Sequence, residues 1–238
     1  GMIVYKQLAE WLVTSVHTTV LTGAGMSTES GVPDFRSSTG LWRKIDPLQV
    51  ATVEAMEKNY PLFYQFYVER IKALQKVKPH VGHEILANWE RRGLITTIAT
   101  QNVDGLHQVA GSKKVIELHG SIRKISCQSC KRSVTESEFL QDGTCNICKG
   151  NLRPGVVLFG EMLPEQAWQQ AYMAMEQAEL VIVMGTSLEV FPVNQLPFVS
   201  RGKIVMINLE PVHQEERFDL VIHGKVGEVL QKVDQYLE

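Results

Sequence analysis

Six short β-branched runs separated by stretches of helical spacing constrain this chain more than any other feature. Residues 18–22, 94–100, 115–118, 180–184, 204–207 and 220–222 are bounded by glycine or polar residues and read as strands. Between them, residues 79–92 and 164–178 each open on proline and carry apolar residues three to four apart, as helices do. Such alternation implies a mostly parallel sheet covered on both faces. A chain of 238 residues with 44% hydrophobic content is long enough to bury one substantial core and is near the size at which a second unit is added. Two segments break the alternation. Residues 37–76 are helical in pattern and rich in aromatics (Trp42, Tyr60, Phe63, Tyr64, Phe66, Tyr67), and residues 121–153 are short, polar and hold every cysteine. The expected organisation is a discontinuous α/β domain over 2–36, 77–120 and 154–238, with 37–76 and 121–153 forming a small domain across a ligand cleft.

Charge narrows the partners. With 24 Lys+Arg against 26 Asp+Glu the formal net charge is -2, so no whole-chain field draws the protein to nucleic acid or an anionic membrane. No apolar run is long enough for a membrane span and the first residues lack the layout of a secretory signal, so a soluble, cytoplasmic protein is expected. Cys127-x-x-Cys130 and Cys145-x-x-Cys148, with 14 residues between the pairs, can converge four thiolates tetrahedrally on one zinc ion. Four thiolates close the shell and leave no position for water, which makes such a zinc structural.

Polar, ligand-type residues gather at the ends of the expected strands. Thr22-Gly23-Ala24-Gly25-Met26-Ser27 is a turn whose missing side chains let backbone N–H groups approach a pyrophosphate; it is equally a plain strand-to-helix turn, since Ser27 and Thr28 occupy the place of a third glycine. Asp34, Phe35 and Arg36 follow a rigid Gly-Val-Pro turn, where the guanidinium can fix a phosphate and the ring can cover a ligand, or where both serve an ordinary loop. Gln101, Asn102 and Asp104 follow the second strand and suit an amide and ribose hydroxyls, or cap the next turn. His119 ends the third strand as a candidate general base, with a structural imidazole as the alternative. Gly185-Thr186-Ser187 and Asn208-Leu209-Glu210 end two more strands. Together these placements point to a ligand crevice at the carboxyl edge of the sheet.

Taken in order, the blocks GAGMSTESGVPDFR (23–36), TQNVDGLH (100–107), ELHG around His119, the paired cysteines, LRPGVVLFGEMLP (152–164), GTSLEV (185–190) and NLEP (208–211) resemble the sirtuin family over nearly the whole chain. The resemblance implies a Rossmann-like parallel-sheet domain with a small zinc-ribbon and helical insertion domain. It implies NAD as co-substrate, acyl-lysine proteins as partners, and release of nicotinamide and O-acyl-ADP-ribose, with His119 as base beside Asn102. By position it assigns Gly23, Ala24, Gly25, Ser27, Thr28, Asp34, Phe35, Arg36, Gln101, Asn102, Asp104, Gly185, Thr186, Ser187, Asn208, Leu209, Glu210 and Val226 to the dinucleotide. Val103 and the segment Val156, Val157, Leu158, Phe159 and Gly160 are assigned to the acyl-lysine peptide, the latter as an edge for an added strand.

Ala51, Tyr67 and Arg70 resemble the family branch that removes negatively charged acyl groups. Three residues apart on a helix, Tyr67 and Arg70 share a face and can grip a succinyl or malonyl carboxylate, or else form a buried phenol beside a surface cation. Asp34 departs from that branch, which often carries threonine there. Two other readings remain open: transfer of ADP-ribose to a protein, and a zinc-ribbon nucleic-acid module with an NAD sensor, for which Lys124, Lys131, Arg132 and Lys149 supply local charge.

Overall fold

The computed structural model describes residues 1–32 and 46–237. In chain order the elements are α1 (Met2–Thr14), β1 (Thr18–Thr22), α2 (Ala24–Thr28), α3 (Pro47–Val50), α4 (Val53–Lys58), α5 (Tyr60–Leu74), α6 (Val81–Arg91), β2 (Thr97–Thr100), α7 (Leu106–Val109), β3 (Val115–Glu117) and β4 (Gly120–Cys127). There follow β5 (Ser133–Val134), α8 (Glu136–Gln141), β6 (Leu152–Val156), α9 (Glu165–Gln177), β7 (Leu180–Met184), β8 (Lys203–Asn208), β9 (Leu220–His223) and α10 (Val226–Asp234).

The six expected strands form one sheet in the order β3-β2-β1-β7-β8-β9, every pair parallel. Alternation of side chains across each strand feeds two cores. Val20, Ile98, Ile182 and Val205 meet Leu8 and Leu12 of α1, Trp89 of α6 and Leu230 of α10 on one face. Leu21, Val181, Val183 and Met206 meet Ala171 and Met175 of α9 on the other. All five residues of β1 and of β7 are buried, as a strand covered on both sides must be. The order reverses between β1 and β7, so the crevice where open α/β sheets take ligands lies at the carboxyl ends of these two strands.

Three features depart from the sequence reading. β2 begins at Thr97 because the amides of Leu94 and Ile95 turn back to the Trp89 carbonyl and close α6, with Gly93 at φ 75. α1 and α10 are additional helices. α10 carries Val226, Val229, Leu230 and Val233 at helical spacing, whereas α1 buries only Leu8, Ala9 and Leu12 and so shows little periodicity.

The cysteine-bearing segment is itself a sheet, β5-β4-β6, antiparallel throughout. It packs on α5 around Phe63, Tyr67, Ile122, Phe139 and Leu152, a third core separate from those of the large sheet. The Tyr60 hydroxyl reaches the Leu152 carbonyl at 2.5 Å and the Tyr64 hydroxyl donates to the Phe139 carbonyl at 2.5 Å. β6 runs across residues 153 and 154 and returns the chain beside its point of departure, Val156 pairing with Gly120. Among the described residues no helix is long and apolar enough to cross a membrane.

Candidate functional site

The turn after β1 and the turn after β7 touch backbone to backbone. The Gly25 N–H donates to the Gly185 carbonyl at 2.7 Å, and a Cβ on Gly25 would lie 2.9 Å from the Gly185 Cα. Gly185 adopts φ +69, and a side chain there would strike the Met26 amide. Only glycine at both positions allows this approach, which shapes a cavity of ≈ 410 Å³. Seven residues singled out from the sequence line it together: Gly25, Thr28, Gly185, Asn208, Leu209, Glu210 and Val226. Glu29, inside the 23–36 block but given no role there, and Lys225, outside every block, line it as well. The Glu29 carboxylate accepts from the Gly227 amide at 3.3 Å and so ties α2 to the start of α10.

On the other side of the switch point the polar residues form two hydrogen-bonded groups. Asn102 Nδ2 donates to the Gly23 carbonyl at 2.9 Å and to Ser27 Oγ at 3.2 Å, and Ser27 Oγ donates to Asp104 Oδ2 at 2.5 Å. Asp104 Oδ1 caps the next turn by accepting from Leu106 N at 3.0 Å, so both oxygens of this buried carboxylate are engaged within the protein. Gln101 Nε2 donates to Thr186 Oγ1 at 3.1 Å, bridging the ends of β2 and β7. Ala24 and Ser187 are exposed at the rim, and the Val103 carbonyl receives the Ile122 amide at 2.9 Å. Asp34, Phe35 and Arg36 lie outside the described residues.

His119 is half-buried, with Nδ1 3.1 Å from the Gln101 carbonyl. A carbonyl only accepts, so Nδ1 carries the proton and Nε2 keeps its lone pair. Burial pushes the His119 pKa below its ordinary value, partly opposed by the hydrogen bond to Gln101, and the ring is therefore a neutral base at pH 7. Trp168 donates to the Leu118 carbonyl at 2.9 Å and sets its indole beside the imidazole, centroids 6.4 Å apart.

Beneath the glycine turn lies a buried histidine cluster, of which only His107, at the end of the 100–107 block, falls in a motif. His80 Nε2 donates to the Met26 carbonyl at 2.7 Å, His83 Nδ1 accepts from the His80 amide at 3.2 Å, and His107 Nε2 meets Thr22 Oγ1 at 2.9 Å. Burial, with neighbouring His107 and His80, lowers His83 from 6.5 to about 2; burial and His80 lower His107 to about 4. Both stay neutral in the fold, whereas in the unfolded chain they protonate near 6.5. Stability is therefore full above pH 6.5 and falls as the pH drops toward 4, by up to about 1.4 kcal/mol per pH unit for each ring. Urea midpoints should decline between pH 6.5 and 5, above most carboxylate titration, and His107→Gln should flatten the decline; a level profile in the wild type would contradict the burial argument.

In the small sheet, the four cysteine sulfurs lie within 4.8 Å of one another, with Cys127–Cys148 at 3.4 Å and Cys130–Cys145 at 3.9 Å. A tetrahedral ion bound at about 2.3 Å needs sulfurs about 3.8 Å apart, so the set can hold a metal ion. The knuckles share one backbone feature: Lys131 and Lys149, each following a second cysteine, adopt φ 65 and φ 68; the Cys130 amide donates to Cys127 and the Gly150 amide to Cys148, each at 3.4 Å.

Tyr67 and Arg70 come together on the small-module side, and Ala51 packs against the core that holds Tyr67. Tyr67 is fully buried, Arg70 hydrogen-bonds its side chain, and the Arg70 guanidinium carbon stands 5.5 Å from the Tyr67 ring centroid. The 156–160 segment is pinned at three points. Val156 pairs with Gly120, Val157 N donates to the His119 carbonyl at 3.0 Å, and Phe159 exchanges backbone bonds with Ala51 and Val53 at 3.0 and 3.2 Å.

Comparison with known proteins agrees with this fold. The NAD-dependent protein deacetylase 1 of Geobacillus kaustophilus is 52% identical over 235 residues, covering 97% of each chain. A Sir2 homologue solved in complex with NAD superposes with a TM-score of 0.89 at 36% identity, covering 98% of this chain and 95% of that one. A Sir2 structure containing an inhibitor, 2′-O-acetyl-ADP-ribose and a deacetylated peptide gives a TM-score of 0.86 at 35% identity, covering 98% and 100%. The sequence model of the Sir2 family matches residues 23–192, and the chain belongs to that family.

Proposed function

We propose that this protein is an NAD-dependent protein-lysine deacylase that transfers the acyl group to ADP-ribose. The observation that carries the reading is His119, a neutral imidazole whose free Nε2 is set at the carboxyl edge of the sheet by the Gln101 carbonyl. NAD, when bound, supplies an electrophilic ribose carbon once nicotinamide departs. The cavity from Gly25 to Val226 holds the adenosine and phosphate portion, where glycine backbone at Gly25 and Gly185 leaves room that side chains would fill. Gln101, held by Thr186, and Asn102, held by Ser27 and Asp104, face the nicotinamide-ribose side. His119 Nε2 takes the proton of a ribose hydroxyl, and Val103 with the 156–160 segment receives the acyl-lysine peptide.

The two-part division with boundaries near 36, 77, 121 and 154 is part of this reading, supported by the separate cores. One zinc ion held by Cys127, Cys130, Cys145 and Cys148 stabilises the small module without entering the chemistry. Reduced thiolates as metal ligands suit a cytoplasmic protein.

Incubating the protein with acetyl-lysine and succinyl-lysine peptides, with and without NAD, tests the reading. We expect NAD-dependent nicotinamide release matched by free lysine on the acetyl peptide; absence of turnover on every acyl-lysine would overturn it. The Tyr67–Arg70 pair favours activity on acidic acyl groups too. In that case Tyr67→Phe lowers desuccinylation about tenfold more than deacetylation, the worth of one hydrogen bond to a charged group. Equal losses on both peptides would remove the acidic-acyl extension.

A further inference from the structure

Arg153 is buried in β6 and its guanidinium is fully committed. Nε donates to the Pro154 carbonyl at 3.1 Å and Nη2 to the Val156 carbonyl at 2.7 Å. The two terminal nitrogens grip Glu161 as a fork, Nη1 to Oε2 at 2.7 Å and Nη2 to Oε1 at 2.8 Å. Glu161 Oε1 also accepts from Leu158 N at 2.9 Å, while Glu161 N donates to the Leu158 carbonyl at 3.0 Å, so the 158–161 turn is closed at both ends. On its far side Arg153 Nη1 donates to Gln128 Oε1 at 3.3 Å, immediately after Cys127 of the metal knuckle.

An ion pair of this kind is a costly way to hold a turn, because an apolar pair of similar volume serves stability as well or better. What the fork adds is a fixed orientation. The turn it closes carries Phe159 and Met162, both largely exposed, away from any core. The same stretch is anchored upstream on the His119 carbonyl and sideways on Ala51 and Val53. A segment fixed on three sides, with Leu158 buried in the small-sheet core and Phe159 turned to solvent, is a surface prepared for a ligand.

We propose that Arg153 and Glu161 are positioning residues that preset the 157–160 edge for the acyl-lysine peptide and, through Gln128, tie that edge to the metal knuckle. The proposal rests on the deacylase reading and concerns peptide recognition alone. Neither side chain acts on the reacting atoms, and NAD is bound elsewhere on the sheet edge. Losing the fork loosens the peptide edge in substrate and transition-state complexes alike, which appears in KM for the peptide and leaves kcat in place.

The test compares wild type with Glu161→Gln, which keeps an acceptor for Leu158 N but loses the charge-assisted fork, and with Arg153→Lys. Steady-state constants are measured for an acetyl-lysine peptide and, separately, for NAD. The expected result is a rise of about tenfold in peptide KM, with kcat and NAD KM within about twofold. Equal rises in both KM values, or an unchanged peptide KM in an active variant, overturn the positioning role. A second measurement needs no variant: amide exchange in the peptide-free wild type should show Leu158 N–H strongly protected, and rapid exchange there refutes the preset edge. A wild type inactive on every acyl-lysine peptide refutes the deacylase reading itself, whereas an active wild type with an indifferent Glu161→Gln refutes only the positioning pair.

Discussion

His119→Ala should lower acyl removal by about a hundredfold or more, the usual contribution of a positioned general base, while the fold survives. The imidazole is half-buried and hydrogen-bonds to a backbone carbonyl, so little of the packing depends on it. NAD binding, followed by fluorescence or calorimetry, should persist, because the side-chain hydrogen bonds of Gln101, Asn102, Ser27 and Asp104 go to partners other than the ring. The lowered pKa adds a second signature: the base form persists below pH 6.5, so the acidic limb of the kcat/KM profile should fall below that value. Activity close to that of the wild type in the alanine variant would remove His119 from the mechanism.

Stripping the metal should have the largest effect on stability. Cys127 and Cys145 are completely buried beside Phe139 and Leu152, and without an ion four close sulfurs have nothing to hold them together. Structural zinc in small domains is worth on the order of 10 kcal/mol, so chelation, or Cys145→Ser, should unfold the small module and abolish turnover. Circular dichroism and zinc analysis, with one ion expected per chain, measure this directly. Replacing zinc by cobalt should restore kcat in full, because an ion with four thiolate ligands has no open position for substrate. A kcat that tracks the identity of the metal would make the site catalytic and defeat the structural assignment.

The sheet could be read from the sequence because its strands are continuous β-branched and apolar runs, of which Leu180–Met184 is the clearest, and because each ends in a small polar cluster. The knuckles were equally legible, since ligand spacing fixes their chemistry. What stayed hidden depends on long-range contact. His80, His83 and His107 look like unrelated surface-type residues until α6 and α7 bring them under Thr22 and Met26. Nothing in Arg153 or Glu161 alone announces a fork, because its members reach back eight residues and across to Gln128. The loss of strand character at Leu94 follows from Gly93, whose role in closing α6 propensity alone does not reveal. Asp34, Phe35 and Arg36, expected near the phosphates, lie outside the described residues.

The pairing of Gly120 with Val156 has a consequence for how such a chain can change. The excursion that carries the four cysteines leaves and rejoins the main body through a single doorway, one residue after His119 and one before the amide that bonds to its carbonyl. Insertions or deletions inside the excursion therefore need not shift the imidazole. Relatives can lengthen, shorten or redecorate that outlying loop while the reactive ring keeps its address, which makes it the natural place for the lineage to experiment.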